Sequence, residues 1–464
     1  MVRLSKISSK NIESIGGPSW LSQFRLDALG ELDSCEFPSA ADELWRYSKI
    51  DDLDLEAIAP SWVPPEVNLT ERLEYFAGVD KPAARLLVVN GCLVDGWVHE
   101  SALAKGLAIG CYGTAGSRIY RPDGSLGENE TSGQIDELAK TYLGKIARSN
   151  DTVDLIAQAI IQDLIVIVIP ESLELTGPVL IEHIQSAEIG GGSEFSVSSP
   201  RTLVIAGENS KVSIIQALTS PTWEPSHLRL LTLPTEEIAV GDGASVDYIS
   251  IQDLGLKAWQ IAHQVSEVGR DARFCSFSVA LGGDYARQRT DSRAAGTGCE
   301  TNLLAAYFAR GNQMHDFRTL QDHVAPRTYS HLYFKGAVDD NAESVYSGLI
   351  RVEKGASKSN AFQENRNLVL SQGAHAESVP NLDIQENDVR CSHASTVGPI
   401  DPEQRYYLES RGITPKEADQ LIVEGFFDDI FSRVESLVPV RQLVRRKIAA
   451  KQNEMFFVKE AAND

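Results

Sequence analysis

No stretch of this sequence is apolar for long enough to cross a bilayer. The longest such run, LIVIVIP from Leu164 to Pro170, falls far short of the ~20 residues a spanning helix needs. The opening, MVRLSKISSKNIESIGG, holds no apolar segment of signal-peptide length, so a cytoplasmic protein is expected. Cysteine is scarce and dispersed. Cys35, Cys92, Cys111, Cys275, Cys299 and Cys391 form no CxxC, which argues against a disulfide framework and a structural zinc site. Positive charge is short as well: 43 Lys and Arg stand against 65 Asp and Glu, a formal net charge of -22. Such a field repels nucleic acid and anionic membrane, so neither is expected as a partner. The sequence also lacks a Walker A loop, GxGxxG after a strand, HExxH and GxSxG. No nucleotide is expected on this chain, and a non-catalytic role is the expectation.

What is present reads as a folded chain of 464 residues in three regions. Residues 1–163 are mainly helical. PSWLSQFRLDALGEL has helical apolar spacing, and further helices are expected over Gln134–Ala147 and Thr152–Ile161, the second capped by Asn150 or Asp151. Between them, LLVVNGCLVDG predicts two strands joined by an Asn90-Gly91 turn. Over 164–399 the pattern changes to short apolar runs separated by Gly, Asn, Asp and Ser. A polar pair, an alanine and an alternating run recur at Ala244, Ala272, Ala342, Ala356 and Ala374, separated by 28, 70, 14 and 18 residues. A degenerate period of about 14 to 18 fits coils of a strand solenoid stacked on one another. The competing reading is a β-sandwich, but Asn-Gly hairpin signals are missing from this stretch.

Residues 400–464 return to helix. Asp401-Pro402-Glu403-Gln404 and Thr414-Pro415-Lys416-Glu417 are helix starts. The helix after the second places Ala418, Leu421, Ile422, Phe426 and Ile430 on one face. The last helix, VRQLVRRKIAAKQ, is basic with an apolar stripe of Leu443, Val444 and Ile448.

Two clusters carry ligand-type side chains. In MHDFRTLQDH, His315, Asp316, Asp322 and His323 are acceptable metal ligands, but the histidines lie ~26 Å apart on one straight strand. Polar side chains on a solenoid face are the better reading. In NDVRCSHASTVG, Cys391 and His393 are two apart, so a strand puts thiol and imidazole on one side, the pair iron or zinc prefers. Two ligands do not complete a site. The pair is either half of a shared one or an ordinary cysteine beside a surface histidine.

The stretch from His315 to Phe431 resembles the SufB/SufD family of iron–sulfur cluster assembly proteins. The resemblance rests on DHVAP, FKG, SGLIRV and AFQENRNLVLS in that order, then the tail EQRYYLESRGITPKEADQLIVEGFFDDIF. It implies a mainly β fold, a right-handed parallel β-helix core flanked by helical ends. It also implies a complex with a SufB-like paralogue and the ATPase SufC, which the C-terminal helices bind; Leu421, Ile422, Phe426, Phe427 and Ile430 are the expected docking residues. Within the family the chain is most like SufD. Gln372 stands where SufB-like chains carry a scaffold cysteine, Cys391-Ser392-His393 is similar to the SufD pattern, and so is Leu-Trp-Arg-Tyr at Leu44–Tyr47. By that likeness His393 is the first candidate ligand for transient iron or a nascent cluster at the subunit interface. Cys391 is the second, and His375 a weaker third. ATP-driven movement in SufC would open the interface, where sulfide on SufB meets incoming iron. The alternatives are a SufB-type scaffold, a homodimer of the isolated chain, a purely structural docking subunit, and a β-helix enzyme acting on polysaccharide.

Overall fold

The computed structural model describes residues 7–32, 34–60, 76, 78–121, 126–128, 133–148, 151–186, 195–220, 229–434 and 438–461. The chain is mainly β, with 45% strand against 23% helix, and its centre is a β-solenoid of about six turns with helices at both ends. The helices are α1 (Ser9–Ser14), α2 (Ser19–Leu32), α3 (Glu100–Ala104), α4 (Gly133–Tyr142), α5 (Thr152–Ala159), α6 (Pro402–Ser410), α7 (Pro415–Phe431) and α8 (Val438–Ala461).

Two largely parallel sheets face each other, and from Thr235–Val240 onward the chain alternates between them strand by strand. Sheet one ends with strands Tyr285–Ala294, Met314–His323, Glu343–Val352 and His375–Ile384; sheet two ends with Glu300–Ala309, Tyr329–Val338, Asn360–Val369 and Arg390–Gly398. Met314 pairs with Tyr285 on one side and Glu343 on the other, 29 residues away each time. One coil is therefore about twice the period expected from the alanines. Those alanines mark corners, and each coil has a corner before each of its two sheets. Ala244, Ala272, Ala342 and Ala356 are buried there, where only a small side chain fits. Residues just before them take the left-handed backbone a sharp corner needs: Gly243, Asp271, Asp340 and Gly355 have φ of 67°, 55°, 59° and 92°.

The space between the sheets is filled in layers. Tyr307, Phe317, Phe334 and Tyr346 form a chain of ring contacts at 4.5, 5.6 and 5.4 Å along the solenoid axis. Each of these rings, fully buried, contributes about 2 kcal/mol. The outer face of sheet two is covered by α7 and α8, where Phe427, Ile430, Phe431, Val444 and Ile448 pack on Phe277 and Phe308. The outer face of sheet one is covered over its earlier coils by the N-terminal segment, with Trp45, Ile50 and Leu53 against Trp259, Tyr285 and Met314.

The N-terminal region closes the first end of the solenoid. Ala84–Val89 and Cys92–Val98 form the expected hairpin, with Asn90 and Gly91 both at positive φ (47° and 84°) as a two-residue primed turn demands. Ala84–Val89 then extends sheet two beside Val179–Ile184, and Ala108–Gly113 extends sheet one antiparallel to Asp163–Ile169. The hydrogen-bonded ladders thus run across position 163. Helix α4 stops at Tyr142, earlier than its periodicity suggests. Gly144 turns to φ 69°, and the Gly144 and Ala147 N–H groups donate to the buried Glu237 carboxylate instead. Asp151 caps α5 through the Val153 and Asp154 N–H groups; Asn150 lies outside the described residues.

Candidate functional site

The other end of the solenoid is open. Strands in the middle coils are buried almost throughout, but in His375–Ile384 only Ala376 is, and in Arg390–Gly398 no residue is. Leu382, Ile384 and Val397 are exposed at 42%, 38% and 44%, whereas Ile350 and Val352, the residues paired to Leu382 and Ile384 one coil earlier, are fully buried. Nothing within the described chain pairs with the free edges of these two strands.

Cys391 and His393 lie on this last coil. Cys391 pairs with Ala361 and His393 with Gln363. Ala361 and Gln363 are buried and face the space between the sheets, so the two ligand-type residues face it too, at its mouth. Cys391 packs against the cluster of Ile350, Val352, Ala356 and Ala361, and this partial burial raises its thiol pKa. His393 is exposed. Beneath it, the Gln363 amide is buried beside the Tyr346 hydroxyl but meets hydrogen-bond geometry with neither of its polar atoms. Gln363 sits in the AFQENRN motif, yet only the stacking of coils shows that it floors the mouth under His393.

His375 does not join the pair. It belongs to sheet one, on the outward side of its strand, because its neighbour Ala376 is the inward one; it lies 3.5 Å from Glu377. Among the described residues no three His, Cys, Asp or Glu side chains gather as a metal site. What the chain offers is a thiol and an imidazole on one side of an edge strand, with further ligands required from outside.

The MHDFRTLQDH residues are occupied internally. His315 and His323 face the inside near opposite ends of one strand. His315 bonds the Gly282 carbonyl, and His323 bonds the Thr328 and Ser330 hydroxyls. Asp316 faces outward, accepting from Arg287 and Arg318 at 2.6 Å and from Tyr285 at 2.9 Å. The two arginines in turn donate to the Leu44 and Arg46 carbonyls, and the Arg287 guanidinium lies 4.0 Å from the centre of the Trp45 ring. Leu-Trp-Arg-Tyr is thus the segment that fastens the N-terminal region to sheet one.

The C-terminal docking residues divide. Phe427 and Ile430 are buried against the chain's own sheet two, and Phe426 packs on the same cluster. The inward stripe of α7 is Ala418, Val423, Phe427, Ile430 and Phe431, rotated from the face expected, because the sheet takes the rings on one side of the helix. Leu421 remains exposed at 46%, with Ile422 half-buried and Tyr406 and Tyr407 exposed on α6. In α8 the buried stripe is Val440, Val444 and Ile448.

Comparison with known proteins gives this geometry its family. Residues 188–426, spanning most of the solenoid, its open end and most of α7, match the family described as SUF system FeS cluster assembly, SufBD core domain. The chain belongs to the SufB/SufD family. Similar proteins include an iron-sulfur cluster assembly SufBD family protein of Mycobacterium tuberculosis, 35% identical over 227 residues, or 47% of this chain and 56% of that one. SufD of Bacillus subtilis is 29% identical over 279 residues, 60% of this chain and 61% of its own. A SufBD family protein of Synechocystis is 26% identical over 415 residues, 88% and 86%. The chain thus spans little more than half the length of the mycobacterial relative.

Proposed function

We propose that this chain is a SufD-like subunit of an iron–sulfur assembly complex. In this reading its open solenoid end pairs with a SufB-like paralogue, and its C-terminal helices dock an ATPase subunit. One observation carries the reading: among the described residues, the solenoid coil left without a neighbour is the coil that bears Cys391 and His393. Free strand edges next to exposed apolar side chains are a template for another chain. A partner's strands there would bury Leu382, Ile384 and Val397 and bring their own ligands to the mouth of the lumen. Iron is the cargo, held between Cys391, His393 and the partner's groups.

The chain's own residues set the conditions. Imidazole binds iron only when neutral, and a thiol only as thiolate, so loading releases protons. Partial burial raises the Cys391 thiol pKa and so disfavours the thiolate that iron binds. Leu421 and the α6 tyrosines are the surface left for the ATPase subunit.

The test is reconstitution of the chain with its SufB-like paralogue and ATPase, followed by iron and sulfide analysis. His393→Ala is expected to leave the assembled complex intact and to lower its iron content at least tenfold. If His393→Ala and Cys391→Ser together leave iron and sulfide unchanged, the subunit is structural only.

A further inference from the structure

The outward side of sheet one carries a column of alternating charge along the solenoid axis. Its rungs are Glu267, Arg293, Asp322, Arg351 and Asp383, each paired in register with the next. Arg293 reaches Glu267 at 3.7 Å and Asp322 at 3.8 Å, and Arg351 reaches Asp383 at 3.3 Å. Glu267, Arg293, Asp322 and Arg351 line a surface groove of about 300 Å³, and Asp383 lies beyond it. Asp322, the acidic rung inside the column, lies between two arginines, and Glu267 at the inner end has Arg293 on one side and Ala239 on the other. Asp383 has one on one side only, and its side chain is 42% exposed on the last strand of the sheet.

We propose that the column continues into the partner, whose edge strand presents a lysine or arginine against Asp383 and so sets the register of pairing. This rests on the reading of the open end as the pairing surface and adds what the partner must carry there. A second copy of this chain does not supply the cation from the same strand. The outward positions of His375–Ile384 are His375, Glu377, Val379, Asn381 and Asp383, with no lysine or arginine. The column therefore favours a paralogue over self-pairing. Backbone bonding along a strand edge is indifferent to side chains, and a slip of one residue would turn the inward set outward. A charge that finds its opposite in one register only selects against such slips.

The experiment measures binding of the purified SufB-like paralogue to the full chain by titration at low and high salt. Asp383→Asn is expected to weaken binding about two- to fivefold, the range of exposed ion pairs. Asp383→Lys is expected to weaken it at least tenfold at low salt, because like charges then face each other. Glu267→Lys makes the same charge change at the far end and is expected to leave binding unaltered. Thermal melting of each variant checks that the fold persists. Asp383→Lys binding within twofold of the unmodified chain overturns the proposal, as does equal weakening by Glu267→Lys. A self-association of the chain alone that Asp383→Lys abolishes while paralogue binding persists overturns it in favour of a second copy. The double variant Leu382→Asp with Val397→Asp separates the two readings. If it abolishes paralogue binding while Asp383→Lys does not, the end is the interface and the charge column is not its guide. If it leaves binding intact, the interface lies elsewhere and both readings fall.

Discussion

Asp316 shows how one side chain can hold two regions together. It is fully buried and compensates two arginines, each of which also holds a carbonyl of the N-terminal segment. The two guanidiniums keep its carboxyl below the ordinary carboxylate range against the opposing effect of burial. Removing it strands two buried cations. Asp316→Ala is expected to cost about 3–5 kcal/mol in urea denaturation, far more than an exposed carboxylate would. Cys391 and His393 are the opposite case: they sit where the chain's own packing asks little of them.

At the scale of elements, α7 is the test of which side faces in. Its start is read without difficulty from Thr414-Pro415-Lys416-Glu417, which forms the full capping box. Its orientation is not, because leucine, isoleucine and phenylalanine occur all round the helix. Phe427→Ala is expected to destabilise the packing of α7 on sheet two by about 3–5 kcal/mol, seen as faster amide exchange in α7. Leu421→Ala is expected to change stability by less than about 0.5 kcal/mol while weakening capture of the ATPase subunit in pull-down.

The whole molecule should be most stable near neutral pH, for reasons that lie in the solenoid. Burial holds His183, His315 and His323 neutral, lowering them from 6.5 to about 4, 3 and 4. Unfolded, they take up protons near 6.5, so the stability they permit is present above that pH and is lost as pH falls. Burial raises Glu236 from 4.5 to about 7, and it acts in the opposite sense over the same range. The net difference approaches two protons only by pH 5, which predicts a total loss of about 2–3 kcal/mol between 6.5 and 5. His263 works on the alkaline side. Burial alone would lower it, but Asp154 and Asp291, each 3.3 Å away, raise it to about 9. Its contribution is complete below 6.5 and fades as pH rises to 9. Thermal melts from pH 5 to 9 are expected to peak between about 6.5 and 7, with His263→Gln removing the alkaline fall.

The sequence by itself determined the classes of the main elements and their order, though not the strands Ala108–Gly113 and Gly116–Tyr120 that extend sheet one. Alternation, polar corners with small residues and two strong helix starts are local signals, and local sterics and capping act through neighbours in the chain. The Asn90-Gly91 turn and the caps at Asp151, Asp401 and Thr414 are of this kind. Tertiary structure decided everything that depends on residues about 29 apart being neighbours. A corner motif cannot say which sheet follows it, so the repeat marked half a coil. Strand parity alone cannot say which side is inside, so it took the stacking on Ala361 and Gln363 to turn Cys391 and His393 toward the lumen, and the burial of Ala376 to turn His375 away. The charge column is invisible along the chain for the same reason: its rungs are separated by 26 to 32 residues and meet only because each coil lies on the last.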